Sequence, residues 1–371
     1  MKQTMDVAAY IWPSYTGKEP RSHIFWPEGI GEWETVQRAT ARFEGHAWPR
    51  KPLWGYQEEA DPSVMEMQIE EALAHGVNTF IYDWYWYDGR PFLEQCLDEG
   101  FLGAKNNEKM KFYLMWANHD ANYLWDRRLA SEQHRATVVW QGKTHPEDFH
   151  VIGKRWLEQY FTRPNYYKID GKPLVSIYDL GNFIRTFGSL EKTRAAMEWL
   201  NEEAKKYGLP GIHFKVIHQG RYTKNLSGID SEKASEELIT ALPFESVTHY
   251  QFCHMTDVDR TFRETMPDVK AEWTRISEDF DCPYFPHVSI GWDNNPRHVT
   301  LFRPNILREN TPEAFEEALR DAKAFAEKIG VNMVTINSWN EWTEGSYLLP
   351  DDLNGYGYLD AIRRVFGKEE Q

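Results

Sequence analysis

The 371-residue sequence has little cysteine, no excess of basic charge and no long apolar run, and each scarcity excludes a class of protein. Its three cysteines, Cys96, Cys253 and Cys282, are too few and too scattered for a disulfide framework. A net charge of −15 disfavours nucleic acid as a partner, because phosphates bind a surplus of lysine and arginine. No uninterrupted stretch of about 18 apolar residues could span a bilayer. We therefore expect no membrane insertion.

Motifs for cofactors and catalytic metals are also missing. The sequence has no HExxH and no CxxC, and His249 and His254 lie beside Cys253 without a spacing typical of zinc. It has neither GxGxxG nor a Walker motif, so nothing predicts a nucleotide cofactor. The first residues lack the apolar stretch of a secretory signal. We expect no cofactor, no metal and a cytoplasmic location, or a periplasmic or secreted one if a leader has been removed.

Aromatic residues, in contrast, are abundant. They make up 15% of the chain and include 16 tryptophans. Aromatic rings stack on the C–H faces of sugars, although large cores also contain many of them. Together with the acidic charge, this composition favours a neutral ligand such as an oligosaccharide.

The order of elements predicts an α/β fold, a single (β/α)8 TIM barrel with elaborated βα loops. Eight β-rich segments alternate with segments able to form helices, as in parallel βα units. The predicted strands are 5–12, 77–84, 110–118, 173–179, 212–218, 244–250, 284–291 and 333–339. No repeat or linker indicates a domain boundary, so we expect one catalytic domain over residues 1–371.

Helix signals and loop lengths support this prediction. Asp61 and Gly76 are typical first and last residues of a helix, as are Thr311 and Gly330, and a third helix is expected near 189–207. The longest connections are 13–60, 119–145 and 251–260. In a barrel, long βα loops gather at the C-terminal face, where active sites of this fold lie.

The segment NSWNEWTEGSY at 337–347 carries the clearest chemistry. Glu341 and Glu344 stand three residues apart among aromatic residues, directly after the predicted eighth strand. Glycosidic cleavage needs one group to protonate the leaving oxygen and another to act as nucleophile or base. An apolar wall raises the pKa of the acid. The position at a strand end favours a catalytic pair over two solvated loop residues.

Several motifs occur in an order that resembles the glycoside hydrolase family 99-like proteins, including the WbsX-like group, over nearly the whole chain. They are AAYIWPSY at 8–15, GEWETV at 31–36, FEGHAWPRKP at 43–52, FIYDWYWYDGR at 80–90, MWAN at 115–118, GWDNNPR at 291–297 and SWNEWTEGSYLLPD at 338–351. The resemblance implies a (β/α)8 barrel and a hydrolase similar to endo-α-mannosidases.

The resemblance also implies roles for the two glutamates. By match to the family's NEW-x-EG motif, Glu341 acts as base on the substrate's 2-hydroxyl, giving a 1,2-anhydro sugar, and Glu344 is the general acid and base. This chain reads WANHDAN where family 99 mannosidases have an HIEPY-like motif, and WbsX-like relatives usually have a glutamate where His119 stands. The resemblance therefore does not fix the sugar.

Polar and aromatic residues near other strand ends complete the expected substrate site. Asp83 and Trp86 follow the second strand as an acceptor and a sugar platform, and Asp293 and Arg297 follow the seventh, where they either bind substrate or brace the loop. The other candidates, each equally able to be a buried support, are Tyr10, Trp12, Asn118, His119, Tyr178, His218, Tyr250, Trp292, Asn337 and Trp339.

Two other functions remain open. A glycosyltransferase using a nucleotide-sugar donor in surface polysaccharide synthesis would hold a cation through an Asp-x-Asp pair, and Asp257–Asp259 and Asp279–Asp281 match that string. A non-catalytic carbohydrate-binding barrel would be expected to have lost one glutamate. The barrel pattern and the intact pair favour a retaining glycoside hydrolase acting on an oligo- or polysaccharide.

Overall fold

The computed structural model describes residues 5–126, 128, 137–220, 234–298 and 305–367. Eight parallel strands form the sheet: β1 (Asp6–Ile11), β2 (Thr79–Tyr87), β3 (Lys111–Trp116), β4 (Lys172–Ile177), β5 (His213–Ile217), β6 (Ser246–Thr248), β7 (His287–Ser289) and β8 (Met333–Asn337). They pair in the order β6-β5-β4-β3-β2-β1-β8-β7, and a parallel bridge between Val247 and Tyr284 brings the two ends of the sheet together. The predicted (β/α)8 barrel is confirmed.

Helices surround this barrel. They are α1 (Trp33–Gln37), α2 (Pro62–His75), α3 (Pro146–Trp156), α4 (Leu180–Phe187), α5 (Leu190–Lys205), α6 (Ser235–Thr240), α7 (Phe262–Asp279), α8 (Pro312–Ile329) and α9 (Gly357–Phe366). The predicted signals operate as expected: the Asp61 side chain accepts from Ser63 N–H at the start of α2, and Gly76 ends that helix at φ 96°. None of the helices in the described ranges is long and apolar enough to cross a membrane.

Shorter elements fill the connections. Antiparallel pairs form between β2 and Arg90–Phe92, between Lys168–Ile169 and β4, between Ala121–Asn122 and Val138–Trp140, and between Asn340–Glu341 and Ser346–Tyr347. Short 3-10 helices occupy Pro20–Ile24, Asn107–Lys109, Phe252–His254, Asn295–Arg297 and Trp342–Glu344, and π-helical turns occupy Cys96–Phe101 and Leu157–Phe161. Most of these lie in βα connections, so they build the C-terminal face.

The observed strands differ in their bounds from the predicted ones, and the differences in β2, β6 and β7 have an identifiable cause or consequence. β2 extends to Tyr87, beyond the predicted end at 84, because Arg90–Phe92 turns back and pairs with its last residues. β6 and β7 contain only three residues each. Pro286 stands directly before β7 and has no N–H to donate to a strand ladder, so the segment before it makes only an isolated bridge at Tyr284 and the continuous strand begins at His287.

Candidate active site

A small hairpin directly after β8 carries both glutamates. Asn340–Glu341 pairs with Ser346–Tyr347, and the 3-10 turn Trp342–Glu344 joins them. Gly345 has φ 63°, a left-handed conformation that glycine adopts without steric cost, and it lets the chain reverse straight after the turn. The hairpin therefore holds both carboxyl groups at the C-terminal mouth of the barrel.

One buried arginine binds three carboxylates at this mouth. Arg297 is only 4% exposed. Its Nη2 donates to Glu341 Oε1 at 2.7 Å, its Nη1 to Glu344 Oε1 at 2.8 Å and its Nε to Glu32 Oε1 at 3.0 Å. Charge-assisted bonds from one planar guanidinium fix the relative positions of their partners. The two hairpin glutamates are thus locked on the same guanidinium.

Glu32 is the member of this cluster that the sequence analysis missed. It is fully buried directly before α1 and accepts further hydrogen bonds from Trp12 Nε1 and from Thr343 Oγ1, the latter at 3.0 Å. Glu32 therefore connects the first long loop to the hairpin and anchors Arg297 from behind.

Burial and like charges set the protonation of the pair. Burial is the largest cause that raises the pKa of Glu341 well above its usual value; Glu344 adds to the shift and Arg297 opposes it. Burial also raises the pKa of Glu344, again against Arg297. Burial alone would lower the pKa of Arg297, but the three carboxylates outweigh it and raise that pKa. Such a pair favours sharing one proton, which supplies one acid and one base.

These groups face a cavity of about 280 Å³. Its described lining consists of Trp12, Asp83, Tyr85, Met115, Ala117, His119, Asp120, Asn122, Leu124, Trp125, Tyr178, Asp179, Gln219, Tyr250, His254, Arg297, Glu341 and Glu344. Eight of these residues are among the predicted site residues: Trp12, Asp83, His119, Tyr178, Tyr250, Arg297, Glu341 and Glu344.

Aromatic rings form much of the cavity wall. The Trp12 ring lies 5.5 Å from Tyr85 and 5.1 Å from Trp125, and Tyr178 lies 5.5 Å from His119 and 5.2 Å from Tyr250. Rings packed edge to face are rigid, so little conformational entropy is lost when they bind a ligand. The wall can therefore offer preformed apolar faces to a sugar.

Asp83 is a buried acidic group within this wall. Its Oδ2 accepts from Tyr250 OH at 3.1 Å, and its buried Oδ1 has no hydrogen-bond partner among the described residues. Burial raises the pKa of Asp83 well above its usual value, and the charge of Glu344 adds to this effect. An unpaired buried oxygen is costly unless a ligand satisfies it. Asp83 Oδ1 is thus available as a hydrogen-bond partner for a ligand in the cavity.

Strand alternation separates Asp83 from Trp86. Successive side chains of a strand point to opposite faces, so Asp83 and Tyr85 share the cavity face. Trp86 points the other way, stacks 5.9 Å from Trp84 and lines a different cavity. We predicted that Asp83 and Trp86 lie together in the site. In the structure, Asp83 and Tyr85 face the cavity together, and Trp86 does not.

Asp293 braces a loop, the second of the two roles considered for it. Its Oδ2 is 2.6 Å from His46 Nε2 and accepts from Trp48 Nε1 at 2.7 Å, while Asn295 donates to Oδ1. Burial alone would raise the pKa of Asp293, but these hydrogen bonds and His46 lower it to about 2. The brace holds the first long loop against the segment that carries Arg297.

The other predicted residues outside the described lining support the strand ends. Tyr10 OH donates to the His249 carbonyl, and Asn118 exchanges hydrogen bonds with the Asp179 backbone. The remaining four also lie outside it: Asn337 accepts from Gln251, Trp339 donates to Gln68, Trp292 packs on the core, and His218 approaches Glu236 and Glu272. Polar residues at strand ends can thus serve the scaffold as well as the cavity.

The sequence family described as "Glycosyltransferase WbsX" matches residues 7–362. The chain belongs to the WbsX family. A relative described as "Uncharacterized protein WxcX", from Xanthomonas campestris pv. campestris strain B100, is 28% identical over 362 residues. The match covers 93% of this chain and 47% of the relative. The chain therefore spans about half the length of this curated relative.

Solved structures share the fold of this WbsX-family chain. A "Glycoside hydrolase-like protein" is 16% identical with a TM-score of 0.63, covering 99% of this chain and 95% of its own. A GH99 endo-alpha-mannosidase from Bacteroides thetaiotaomicron is 17% identical with a TM-score of 0.56, covering 98% and 96%. At these identities, the likeness shows that the WbsX-family barrel and the family 99 glycoside hydrolase barrel are the same fold.

Replacing Glu32 by Gln in this WbsX-family protein should shift its pH dependence. The substitution removes a negative charge that raises the pKa of both Glu341 and Glu344. The acidic limb of the kcat/KM profile should therefore move to lower pH, and the rate at the optimum should fall by roughly 10-fold because Arg297 loses an anchor.

Glu94→Gln is the matched control, since Glu94 is also buried, accepts from the indole of Trp84 and pairs with Arg155, but lies outside the described cavity lining. A profile of Glu32→Gln that coincides with the wild type would show that Glu32 does not act on the pair.

Proposed function

We propose that this protein is a glycoside hydrolase that cleaves a glycosidic bond in an oligo- or polysaccharide. The observation that carries the proposal is the pair Glu341 and Glu344, held by one buried arginine at the mouth of an aromatic-walled barrel cavity. Two carboxyl groups with raised pKa values provide the acid and the base that acetal cleavage requires.

We propose the following bond changes. Glu341 takes the proton of the substrate's 2-hydroxyl, whose oxygen attacks the anomeric carbon while the bond to the leaving oxygen breaks. Glu344 gives its proton to that oxygen. Water, deprotonated by Glu344, then opens the 1,2-anhydro sugar at the anomeric carbon, and Glu341 returns the proton to the 2-oxygen. Glu344 Oε2 is buried and has no hydrogen-bond partner among the described residues, so it is available for this transfer.

Substrate binding is assigned to the cavity wall. The rings of Trp12, Tyr85 and Trp125 offer stacking faces, and Asp83 Oδ1 offers a polar partner for a hydroxyl. Most ionisable groups in the described lining are acidic, so a neutral glycan fits this cavity better than a polyanionic one.

The family's transferase description motivates the alternative of a nucleotide-sugar donor. Asp259 pairs with Arg308 at 2.7 Å and Asp279 with Arg275 at 2.9 Å. Neither Asp-x-Asp pair belongs to the described cavity lining. These contacts favour hydrolysis over transfer from a cation-bound diphosphate.

A product assay tests the proposal directly. The full chain is incubated with a panel of neutral oligosaccharides and aryl glycosides, with and without nucleotide sugars, and products are identified by mass. New reducing ends without a nucleotide sugar are the expected result. Products that form only with a nucleotide sugar and a divalent cation would establish the transferase instead.

The first-formed product should retain its anomeric configuration. Two successive displacements at one carbon restore the starting configuration, whereas direct attack by water inverts it. Proton NMR during the first minutes of turnover distinguishes the two, before the sugar mutarotates. An inverted product would mean that a water lies between the two carboxyl groups.

A further inference from the structure

A second cluster of ionisable groups lies behind the cavity, at the ends of β5 and β6. His218 follows β5, His249 follows β6, and Glu272 reaches them from α7. Glu272 Oε1 is 3.6 Å from His249 Nε2 and 3.9 Å from His218 Nδ1. One ligand atom from each of the three residues lies within 4.8 Å of the others. None of the three belongs to the described cavity lining.

One ring nitrogen of each imidazole faces Glu272. His249 is fully buried, its Nδ1 is 2.8 Å from Tyr284 OH, and its Nε2 has no hydrogen-bond partner among the described residues. His218 Nε2 faces Glu236 Oε1 at 3.4 Å. In protein metal sites, the nitrogen of histidine that does not bind the metal is usually held by such a partner. His218 Nδ1, the nitrogen that faces Glu272, receives the Gly220 N–H at 3.4 Å, a long contact that a metal ion would replace.

We propose that His218, His249 and Glu272 form a zinc site that fastens the ends of β5 and β6 to helix α7. Two imidazole nitrogens and one carboxylate oxygen, with a fourth position open to water, are a zinc ligand set. Tetrahedral bonds of about 2.0–2.1 Å separate ligand atoms by roughly 3.3–3.4 Å. The two separations from Glu272, 3.6 and 3.9 Å, need to contract by less than 1 Å to meet that geometry, and the two histidine nitrogens, which lie within 4.8 Å of each other, by up to about 1.5 Å.

The surrounding charge suits a bound cation. Glu272 and Glu236 pair with Arg275 at 2.8 Å each and Asp279 pairs with it at 2.9 Å, so three carboxylates share one guanidinium. Without an ion, the cluster therefore carries an excess of negative charge beside a buried unpaired nitrogen.

The site would steady two cavity residues. Gln219 follows His218 and Tyr250 follows His249, and both line the proposed sugar cavity. Tyr250 OH also donates to Asp83. A metal that fixes the two strand ends would thus hold the floor of the cavity without contacting the substrate. This inference stands apart from the proposed hydrolase activity.

Zinc binding by the untagged full chain tests the proposal. Protein freed of metal by a chelator is titrated with ZnCl2 against a chromophoric competitor. We expect one zinc per chain with a Kd below about 1 μM, little competition from Mg2+, and a higher Tm with zinc. Absence of stoichiometric binding would overturn the proposal.

Substitutions locate the bound ion. His249→Gln and Glu272→Gln should each weaken zinc binding by at least about 100-fold, while His150→Gln, which changes an exposed histidine beside Trp199, should leave it unchanged. Unchanged binding in both cluster variants would overturn the assignment. If these variants do not fold, the visible absorption spectrum of the wild-type protein loaded with Co2+ tests the proposal. Intense bands indicate the expected four-coordinate site, and a weak spectrum typical of six-coordinate Co2+ contradicts it.

Discussion

Changing Glu341 to Gln should lower kcat/KM by about 10⁴-fold, which corresponds to roughly 5.5 kcal/mol of transition-state stabilisation. An amide cannot take the proton of the 2-hydroxyl, so the internal nucleophile of the proposed mechanism would not form, whatever group departs. Gln is nearly isosteric with Glu and can still bind Arg297 through its carbonyl oxygen. The loss should therefore appear in kcat, with folding unchanged by circular dichroism.

Glu344→Gln should behave differently with an activated leaving group. A nitrophenolate departs without protonation, so this variant should keep substantial first-step cleavage of a nitrophenyl glycoside while losing activity on a natural glycosidic bond. Stopped-flow release of nitrophenol from both variants measures the contrast. Full activity of Glu341→Gln on the activated substrate would contradict the proposed roles.

A 2-deoxy substrate provides the control for the internal nucleophile. It lacks the hydroxyl that Glu341 is proposed to activate and should be inert even with wild-type enzyme. Normal turnover of this analogue would contradict the proposed attack by the 2-hydroxyl and leave a carboxylate or a water as the nucleophile.

Changing Arg297 to Gln should have the second largest effect, about 10³-fold on kcat/KM together with a change in pH dependence. The Arg297 charge opposes the rise in the pKa of both Glu341 and Glu344. Without it, both pKa values rise further, and the ionised base is available only at higher pH. The acidic limb of the rate profile should therefore move to higher pH, opposite to the shift expected for Glu32→Gln.

The same substitution should destabilise the fold. It leaves the buried carboxyl groups of Glu32, Glu341 and Glu344 without their cation, and breaking a buried pair costs about 3–5 kcal/mol. In the variant, the pKa values of these buried carboxyl groups are higher in the folded state than in the unfolded state, so the folded state binds more protons. The stability is then lost as pH rises through the folded pKa values and recovers at lower pH.

Denaturant unfolding at several pH values measures this loss. Arg308→Gln is the matched control, because its ion pair with Asp259 is half exposed and should contribute less than about 1 kcal/mol. An Arg297→Gln variant as stable as this control at pH 8 would contradict the account of the buried cluster.

Local signals in the sequence determined the barrel. Asp61 and Gly76 bound α2 because a side-chain cap and a left-handed glycine act within a few residues. The alternation of β and α segments required no long-range information either. The position of Glu341 and Glu344 at the barrel mouth follows, since both come directly after the eighth strand.

Some errors concerned orientation within an element. Strand alternation, readable from the sequence, groups Tyr85 with Asp83 and separates Trp86 from both. The alternation applies to Tyr85 and Trp86 because β2 extends to Tyr87. That extension in turn depends on pairing with the returning segment Arg90–Phe92. The lengths of β6 and β7 likewise depend on where their partners allow pairing.

Only the tertiary structure decided which distant side chains meet. Arg297 joins Glu32, 265 positions away, to the hairpin glutamates, and His218, His249 and Glu272 come from three separate elements. No spacing in the sequence indicates such contacts, because they arise when the barrel closes and its long loops pack on its mouth. The sequence by itself therefore determined the scaffold and the two glutamates, while packing between distant segments decided the charges that surround them.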